Sequence, residues 1–474
     1  MPALQTPANE SKVYQIMRTF SIATLGCKVN QYESQQIIEL LEQLGLTQVR
    51  ESQSPELIVV NTCCVTHTAS AKSRQQIHHA QRLNPHATVL ICGCLPMISA
   101  SESDITGENI HVLTNRQEIA ATLSRLVENR TTTPERRNGP IHQDSSIKAE
   151  DSLKINRQNN LYSFRDLPQI CSFRGHTRAF LKVQDGCDGY CTYCIVPRTR
   201  PLVHSKPLDV VLQEAQSLVD AGHKEIVITG IFLGAYGQQT VRRKSWPDRQ
   251  NGKLTDLLEN IAKIPVLARV RLSSLEPGDV TGELLDVFCK YPNIMPHLHL
   301  SLQSGSDNVL KKMARQYRVG DFRAKVEMIK TQLDRPAITT DIIVGFPGET
   351  EGDFEKTVSL AEEVGFAKMH IFAFSPRNGT AAATMQDTVA KRITQERSRI
   401  LRELDKNLQR QFRQQFINAT AEVLLESGAD DPAGRSERYF MVCVRDGHKT
   451  LKKNDLVRVV LVDNTADRMV GELK

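Results

Sequence analysis

Aromatic residues are scarce in this chain, at 5% with a single tryptophan. No apolar run approaches the roughly 20 residues a bilayer crossing requires, and the opening MPALQTPANESKVYQIMRTF lacks the continuous apolar stretch of a secretory leader. These absences set aside membrane and secreted classes, and the expected compartment is the cytoplasm. In that reducing setting the eleven cysteines are expected as metal ligands or buried thiols, not as disulfides. A strong charge of one sign is missing too: a net +6 over 474 residues permits a nucleic-acid partner without demanding one. One further absence is local. In GCDGYCTYCIVPRTRP, residues 186–201, Cys187, Cys191 and Cys194 come together and the chain then turns basic without a fourth cysteine. Structural zinc sites and ordinary four-iron clusters close with four ligands, so three leave one position open for chemistry.

What is present is a soluble, globular composition, 40% apolar and 24% charged, long enough for two or three domains. In the first segment, FSIATL (20–25), ELIVVN (56–61) and ATVLIC (87–92) have strand length, and each runs at once toward a cysteine: Cys27, Cys63 and Cys94. Helical stretches, QYESQQIIELLEQLG and ASAKSRQQIHHAQRL, lie between them. This alternation predicts a parallel sheet whose strands all finish at one edge. The three cysteines would meet there as a second three-thiolate set, with Cys64 and Cys92 as buried bystanders.

Periodicity fades between about 130 and 172, which predicts a linker ending near Cys171. Six strand-then-polar units follow: AFLKVQ (179–184), EIVITG (225–230), RVRLSS (269–274), LHLSLQ (298–303), TTDIIVG (339–345) and KMHIFAF (368–374). Six parallel βα units predict an open barrel with functional groups at the C-terminal strand ends, where Thr229, Ser273, Glu276, Gln303, Asp341 and Arg377 fall. VLKKMARQYRVGDFRAKVEMIKTQL reads as one helical stretch. Residues 391–413 carry eight Lys or Arg against three acids at helical spacing, a face suited to solvent or to phosphates. Beyond 418, AEVLLES, RYFMVCV, LVRVVLV and DRMVGEL read as a small all-β module.

Cys-x-x-x-Cys-x-x-Cys after a first barrel strand resembles the radical S-adenosylmethionine enzymes. With TLGCKVNQYES, NTC, RLSSLEP, SLQSGSDNVLKKMARQY, DIIVGFPGET and SPRNGT, the chain resembles the methylthiotransferases over nearly its full length. The resemblance implies an α/β chain: an amino-terminal Rossmann-like domain (18–130), a linker (131–172), a partial (βα)6 radical barrel (173–405), and a basic helix end with an RNA-binding TRAM domain (406–474). It implies two [4Fe-4S] clusters, one on Cys27, Cys63 and Cys94 and one on Cys187, Cys191 and Cys194. One S-adenosylmethionine would methylate sulfur on the first cluster. A second, cleaved at the other, would yield the radical that activates a C–H bond. Tyr193, Gly230, Glu276, Gln303 and Gly345 are implied to line the cofactor pocket.

Three substrate classes compete within this resemblance. TLGCKVNQYES looks like the tRNA threonylcarbamoyladenosine enzymes, modifying C2 of adenosine 37 in the anticodon loop. The isopentenyladenosine enzymes more often read Gly-Cys-Gln-Met-Asn there, and those acting on a ribosomal-protein aspartate Gly-Cys-Pro-Lys-Asn. The expected partners are a tRNA anticodon loop, an electron donor such as flavodoxin or ferredoxin, and a sulfur source. A zinc-dependent RNA-binding protein is the alternative of another class. The chain departs from its relatives after the cysteine motif, where Pro201-Leu-Val-His204-Ser205-Lys206 replaces a frequent Gly-x-x-Arg-Ser-Arg. The basic loop 240–253, holding Trp246, reads first as a solvated insertion and second as a surface that stacks on RNA.

Overall fold

The computed structural model describes residues 17–99, 107, 109–128, 167–245, 252–428, 430–445 and 451–474. Most of the expected linker, 131–172, lies outside the described residues, as does Trp246. The described residues form two compact units, drawn from 17–24, 36–62 and 72–168 in one case and from 25–35, 63–71 and 169–474 in the other. None of the described helices is long and apolar enough to cross a membrane.

In the first unit, β1 (Thr19–Thr24), β2 (Thr47–Gln48), β3 (Leu57–Thr62), β4 (Thr88–Gly93) and β5 (Ile110–Val112) form one parallel sheet in the order β2-β1-β3-β4-β5. Helices α1 (Lys28–Gln43), α2 (His67–Leu83), α3 (Pro96–Ser99) and α4 (Ile119–Glu128) connect and follow the strands, with the starts of α1 (to residue 35) and α2 (to residue 71) belonging to the second unit. β3 and β4 are buried along their whole length, which explains their unbroken apolar sequence: a parallel strand covered on both faces has no reason to alternate. The order is that of flavodoxin-type doubly wound sheets, and it reverses between β1 and β3, the place where such sheets take ligands.

The second unit contains β6 (Arg178–Asp185), α5 (Val196–Thr199), β7 (His204–Ser205), α6 (Leu208–Asp220), β8 (Glu225–Gly230), α7 (Gly252–Ala262), β9 (Arg269–Leu272), β10 (Ser274–Leu275), α8 (Gly282–Lys290) and β11 (His297–Leu300). It continues through α9 (Asp307–Lys312), α10 (Val319–Gln332), β12 (Ala337–Val344), α11 (Glu351–Val364), β13 (Lys368–Ala373) and α12 (Lys391–Gln414). β9 pairs with β8, and β10 with β11. Because β9 and β10 are one run interrupted at Ser273, the six expected parallel strands stand in chain order, with β7 added antiparallel to the end of β6. Leu298, Leu300, Ile338, Ile342 and Met369 join the core. The strand period of two therefore turns His297, His299, Thr339, Asp341 and His370 to the other face.

A closed five-stranded barrel follows: β14 (Thr420–Leu425), β15 (Ala433–Ser436), β16 (Met441–Arg445), β17 (Leu456–Asn464) and β18 (Met469–Leu473), in the order β14-β15-β16-β18-β17. Its core continues onto Phe412 and Phe416, so the expected boundary at 405 falls inside α12. Tyr439, in the β15–β16 turn, stacks on His297 with ring centroids 4.7 Å apart and accepts from Arg178 at 2.9 Å. Arg269 and Arg271 donate to the carbonyls of Arg435, Ser436 and Glu437 at 2.8–2.9 Å. The small barrel is thus fastened to the strand starts of the parallel sheet.

Candidate active site

The cysteine loop leaves the C-terminal end of β6 through Gly186, at φ +80, where a Cβ would lie 1.6 Å from the Leu202 carbonyl oxygen. Only glycine fits that crossing. The Cys187 N–H donates to Arg200 O at 2.8 Å. Gln184 braces the turn, donating to the carbonyls of Asp185 and Gly186 at 2.9 Å and accepting from Phe232 N–H at 2.7 Å. Farther along, Thr192 N–H donates to Met313 O, and Ala382 N–H to Thr192 O. Three distant segments therefore hold the loop in place.

Cys187, Cys191 and Cys194 line one cavity of about 150 Å³ together with Tyr193, Glu276, Gln303 and Arg315. Burial pushes the Cys187 and Cys194 thiols up to about 12. An Arg315 nitrogen donates to Cys191 Sγ at 2.9 Å and to Tyr193 OH at 3.3 Å, and its other nitrogen is paired with Glu276. Tyr193 is half-buried against Phe346, edge to face. Gly230 and Gly345 stand outside the cavity lining. A Cβ at Gly230 would meet Gln184 at 3.0 Å, and at Gly345, where φ is +75, one would meet Thr394 Oγ1 at 2.3 Å.

Arg315 escaped the sequence reading because the stretch around it looks like one helix. The chain instead breaks between α9 and α10, with Ala314 at φ 54; this turn carries Arg315 to the cavity. Gln303 also has a positive φ, 65, fixed by hydrogen bonds from its N–H to Asp341 O and from Ile343 N–H to its own carbonyl. Non-glycine residues in the left-handed region cost energy and gather at functional sites, and both of these border the cavity.

The other cysteine set follows the strand ends of the first sheet. Register pairs Thr24 with Asn61 and Thr62 with Gly93. Cys63 and Cys94 come directly after β3 and β4, and Cys27 three residues after β1. Gly26, at φ +104, leaves space that a Cβ would close to 2.9 Å from Cys63 Sγ. Cys94 N–H donates to Thr62 O at 3.0 Å, and Arg116 donates to Cys94 Sγ at 3.0 Å. Each cysteine set thus has one guanidinium on one sulfur. Cys64 and Cys92 are buried, and Cys171 is exposed.

The motif TLGCKVNQYES also packs. Arg200 grips Glu33 bidentately at 2.7 and 2.8 Å and Asp185 at 2.7 Å, while Lys182 reaches both carboxylates at 3.0 Å. The Tyr32 hydroxyl donates to Glu214 and accepts from Lys206. In the departing tail, His204 and Ser205 form β7, and Lys206 is buried against Glu214. These residues serve packing in this chain, a role that local sequence could not reveal.

Residues 19–113 match a family described as Uncharacterized protein family UPF0004, and 181–361 match the Radical SAM superfamily. The Threonylcarbamoyladenosine tRNA methylthiotransferase MtaB of Bacillus subtilis is 36% identical over 453 residues, covering 94% of each chain. The tRNA-2-methylthio-N(6)-dimethylallyladenosine synthase of Corynebacterium efficiens is 32% identical over 434 residues, 90% of this chain and 78% of that one. Among solved structures, the radical S-adenosylmethionine methyltransferase TsrM of Kitasatospora setae aligns over 76% of this chain and 73% of its own with a TM-score of 0.51 at 14% identity, a likeness of fold. With its cysteine loop at the end of a first barrel strand and this full-length similarity, the chain belongs to the radical S-adenosylmethionine methylthiotransferases, in the threonylcarbamoyladenosine tRNA group.

Proposed function

We propose that this protein replaces the C2 hydrogen of N6-threonylcarbamoyladenosine at position 37 of tRNA by a methylthio group, acting in the cytoplasm. The similarity over 94% of both chains to a relative of that name carries the reading. The donor set fits: three thiols border one cavity, and burial disfavours free thiolate at Cys187 and Cys194, a cost that binding a metal cation would offset. A structural zinc closes with four ligands, and each set supplies three cysteines.

Cys187, Cys191 and Cys194 would hold a [4Fe-4S] cluster, which together with S-adenosylmethionine would supply the one-electron chemistry that activates a C–H bond. Cys27, Cys63 and Cys94 hold a second cluster. Arg315 donates to the Cys191 sulfur, and Glu276 orients Arg315. Tyr193 offers an aromatic face to the cofactor's adenine, and Gln303 and Glu276 present polar atoms to its sugar and amino groups. Gly230 and Gly345 act beneath the pocket, by allowing the turns that shape it. Electrons come from a flavodoxin or ferredoxin, and sulfur from a separate source. The C-terminal barrel and the exposed Arg392, Arg402, Lys406 and Arg410 of α12 face the tRNA backbone, with Arg397 and Arg413 excluded because they pair within the fold.

Anaerobic protein, reconstituted with iron and sulfide, is incubated with S-adenosylmethionine, a reductant and anticodon stem-loops carrying either threonylcarbamoyladenosine or isopentenyladenosine. Methylthiolation of the first is expected. Methylthiolation of the second alone overturns the substrate.

A further inference from the structure

The inward face of the parallel sheet carries polar side chains in layers. Tyr439 and His297 stack at the strand starts, and Gln303 borders the cysteine cavity at the other end. Between them lie His299 on β11, Asp341 on β12 and His370 on β13. Among the described residues, these three form the group whose candidate ligand atoms all lie within 4.8 Å of one another. His299 Nε2 stands 3.3 Å from Asp341 Oδ2, and its Nδ1 is 3.0 Å from Thr339 Oγ1, which fixes the ring. The His370 ring centroid is 5.8 Å from that of His299. The site is one hydrogen bond from the cavity, since Gln303 N–H donates to Asp341 O at 2.8 Å.

Two further observations say what this layer faces. The Lys28 side chain, at the start of α1, makes no hydrogen bond or ion pair among the described residues, and its ammonium is near enough to His297, Asp341, His370 and Tyr439 to contribute, as a minor cause, to their titration. A half-buried ammonium without a partner, over a polar floor, suits an anion. Phe372 follows His370 on the same face of β13 and is 42% exposed, an open aromatic surface of the kind on which a splayed base stacks. Cation, hydrogen-bonding floor and aromatic surface together match a purine with a carboxylate-bearing polar substituent. An isopentenyl group would leave the same polar atoms unpaired.

We propose that Lys28, His299, Asp341 and His370 form the subsite for the threonylcarbamoyl group of the substrate base, with Phe372 beneath the purine. The inference rests on the threonylcarbamoyladenosine reading above. Lys28 and His370 take the carboxylate. Asp341, oriented by His299, accepts from the hydroxyl or carbamoyl N–H. These are specificity residues, which set the pose of the base relative to the cysteine cavity.

The test compares anticodon stem-loops bearing threonylcarbamoyladenosine or its methyl ester, which blocks the carboxylate and keeps the rest. Wild-type protein is expected to favour the free acid in kcat/KM by roughly ten- to a hundredfold, the worth of a charge-assisted contact. Lys28→Gln and His370→Gln are expected to lose most of that preference, mainly through KM, with anaerobic iron content reporting that each variant is folded and loaded. Because Lys28 adjoins Cys27, His370→Gln carries the test if Lys28→Gln loses iron. Retention of the full preference by a loaded His370→Gln overturns the subsite while leaving the substrate reading intact. Failure of wild-type protein on the threonylcarbamoyl stem-loop, with turnover of the isopentenyl one, overturns both. One equivalent of a non-iron divalent metal, lost in Asp341→Asn, overturns the subsite in favour of a metal centre.

Discussion

Arg315 places a guanidinium nitrogen 2.9 Å from the Cys191 sulfur, and the opposite nitrogen is held by Glu276. One side chain thereby links a cysteine of the radical motif to a buried carboxylate on the far wall of the same cavity. Arg315→Met removes the sulfur's donor and leaves Glu276 with Arg243, 3.6 Å away, as its remaining cation. A stability loss of about 3 kcal/mol is expected from a half-broken buried pair, together with S-adenosylmethionine cleavage reduced by at least about tenfold. Thermal unfolding and 5′-deoxyadenosine release check the two effects separately. Unchanged cleavage would remove Arg315 from the cavity's chemistry.

The Glu33–Arg200 contact makes a prediction away from the cavity. Glu33→Ala removes one of the two carboxylates that Arg200 and Lys182 share in a buried site, the other being Asp185. A loss of about 3–5 kcal/mol is expected for breaking such a network, seen as a large downward shift in the denaturant midpoint. Glu33→Gln, which keeps the shape and accepts one hydrogen bond, should fall between that variant and wild type.

Two glycines with the same backbone conformation should respond differently to alanine. Gly175 and Gly186 have φ of +78 and +80, but a Cβ at Gly175 meets nothing within 4 Å, and one at Gly186 meets the Leu202 carbonyl at 1.6 Å. Gly175→Ala is expected to cost only the left-handed penalty, about 1–2 kcal/mol. Gly186→Ala must displace backbone beside Cys187, and iron retention should fall with stability. Iron content after desalting separates the two variants.

Asp353 gives a pH dependence with a definite sign. Burial alone pushes its carboxyl up; the hydrogen bonds from Ser306, Thr350 and Asn308 more than reverse this and hold it down at about 2. A carboxyl lower in the folded than in the unfolded chain stabilises the fold fully above about pH 4 and loses that contribution as pH falls from about 4 toward about 2. Asp353→Asn should weaken the fold at pH 7 and lessen the slope of stability against pH within that window, as urea titrations at several pH values would show.

Much of this was legible locally. Val, Ile and Leu runs mark the buried parallel strands to within about two residues, and each cysteine triad sits where a strand stops. β15, whose sequence is AGRS, carries no β-branched or aromatic signal and forms because neighbours on both sides pair with it. Arg315 was hidden by a helical pattern that Ala314 breaks. His299, Asp341 and His370 alternate with core residues on three separate strands, so each looks ordinary until the sheet aligns them. Lys28 read as one letter of a motif, because only the folded sheet supplies the charges that face it.

The central claim is tested most directly by mass spectrometry of nucleosides from tRNA of cells with and without this protein. The account predicts that deletion removes 2-methylthio-N6-threonylcarbamoyladenosine, leaves the unmethylthiolated nucleoside in its place, and that wild-type protein restores the product while Cys191→Ala does not. An unchanged level of the methylthiolated nucleoside in the deleted cells would contradict it.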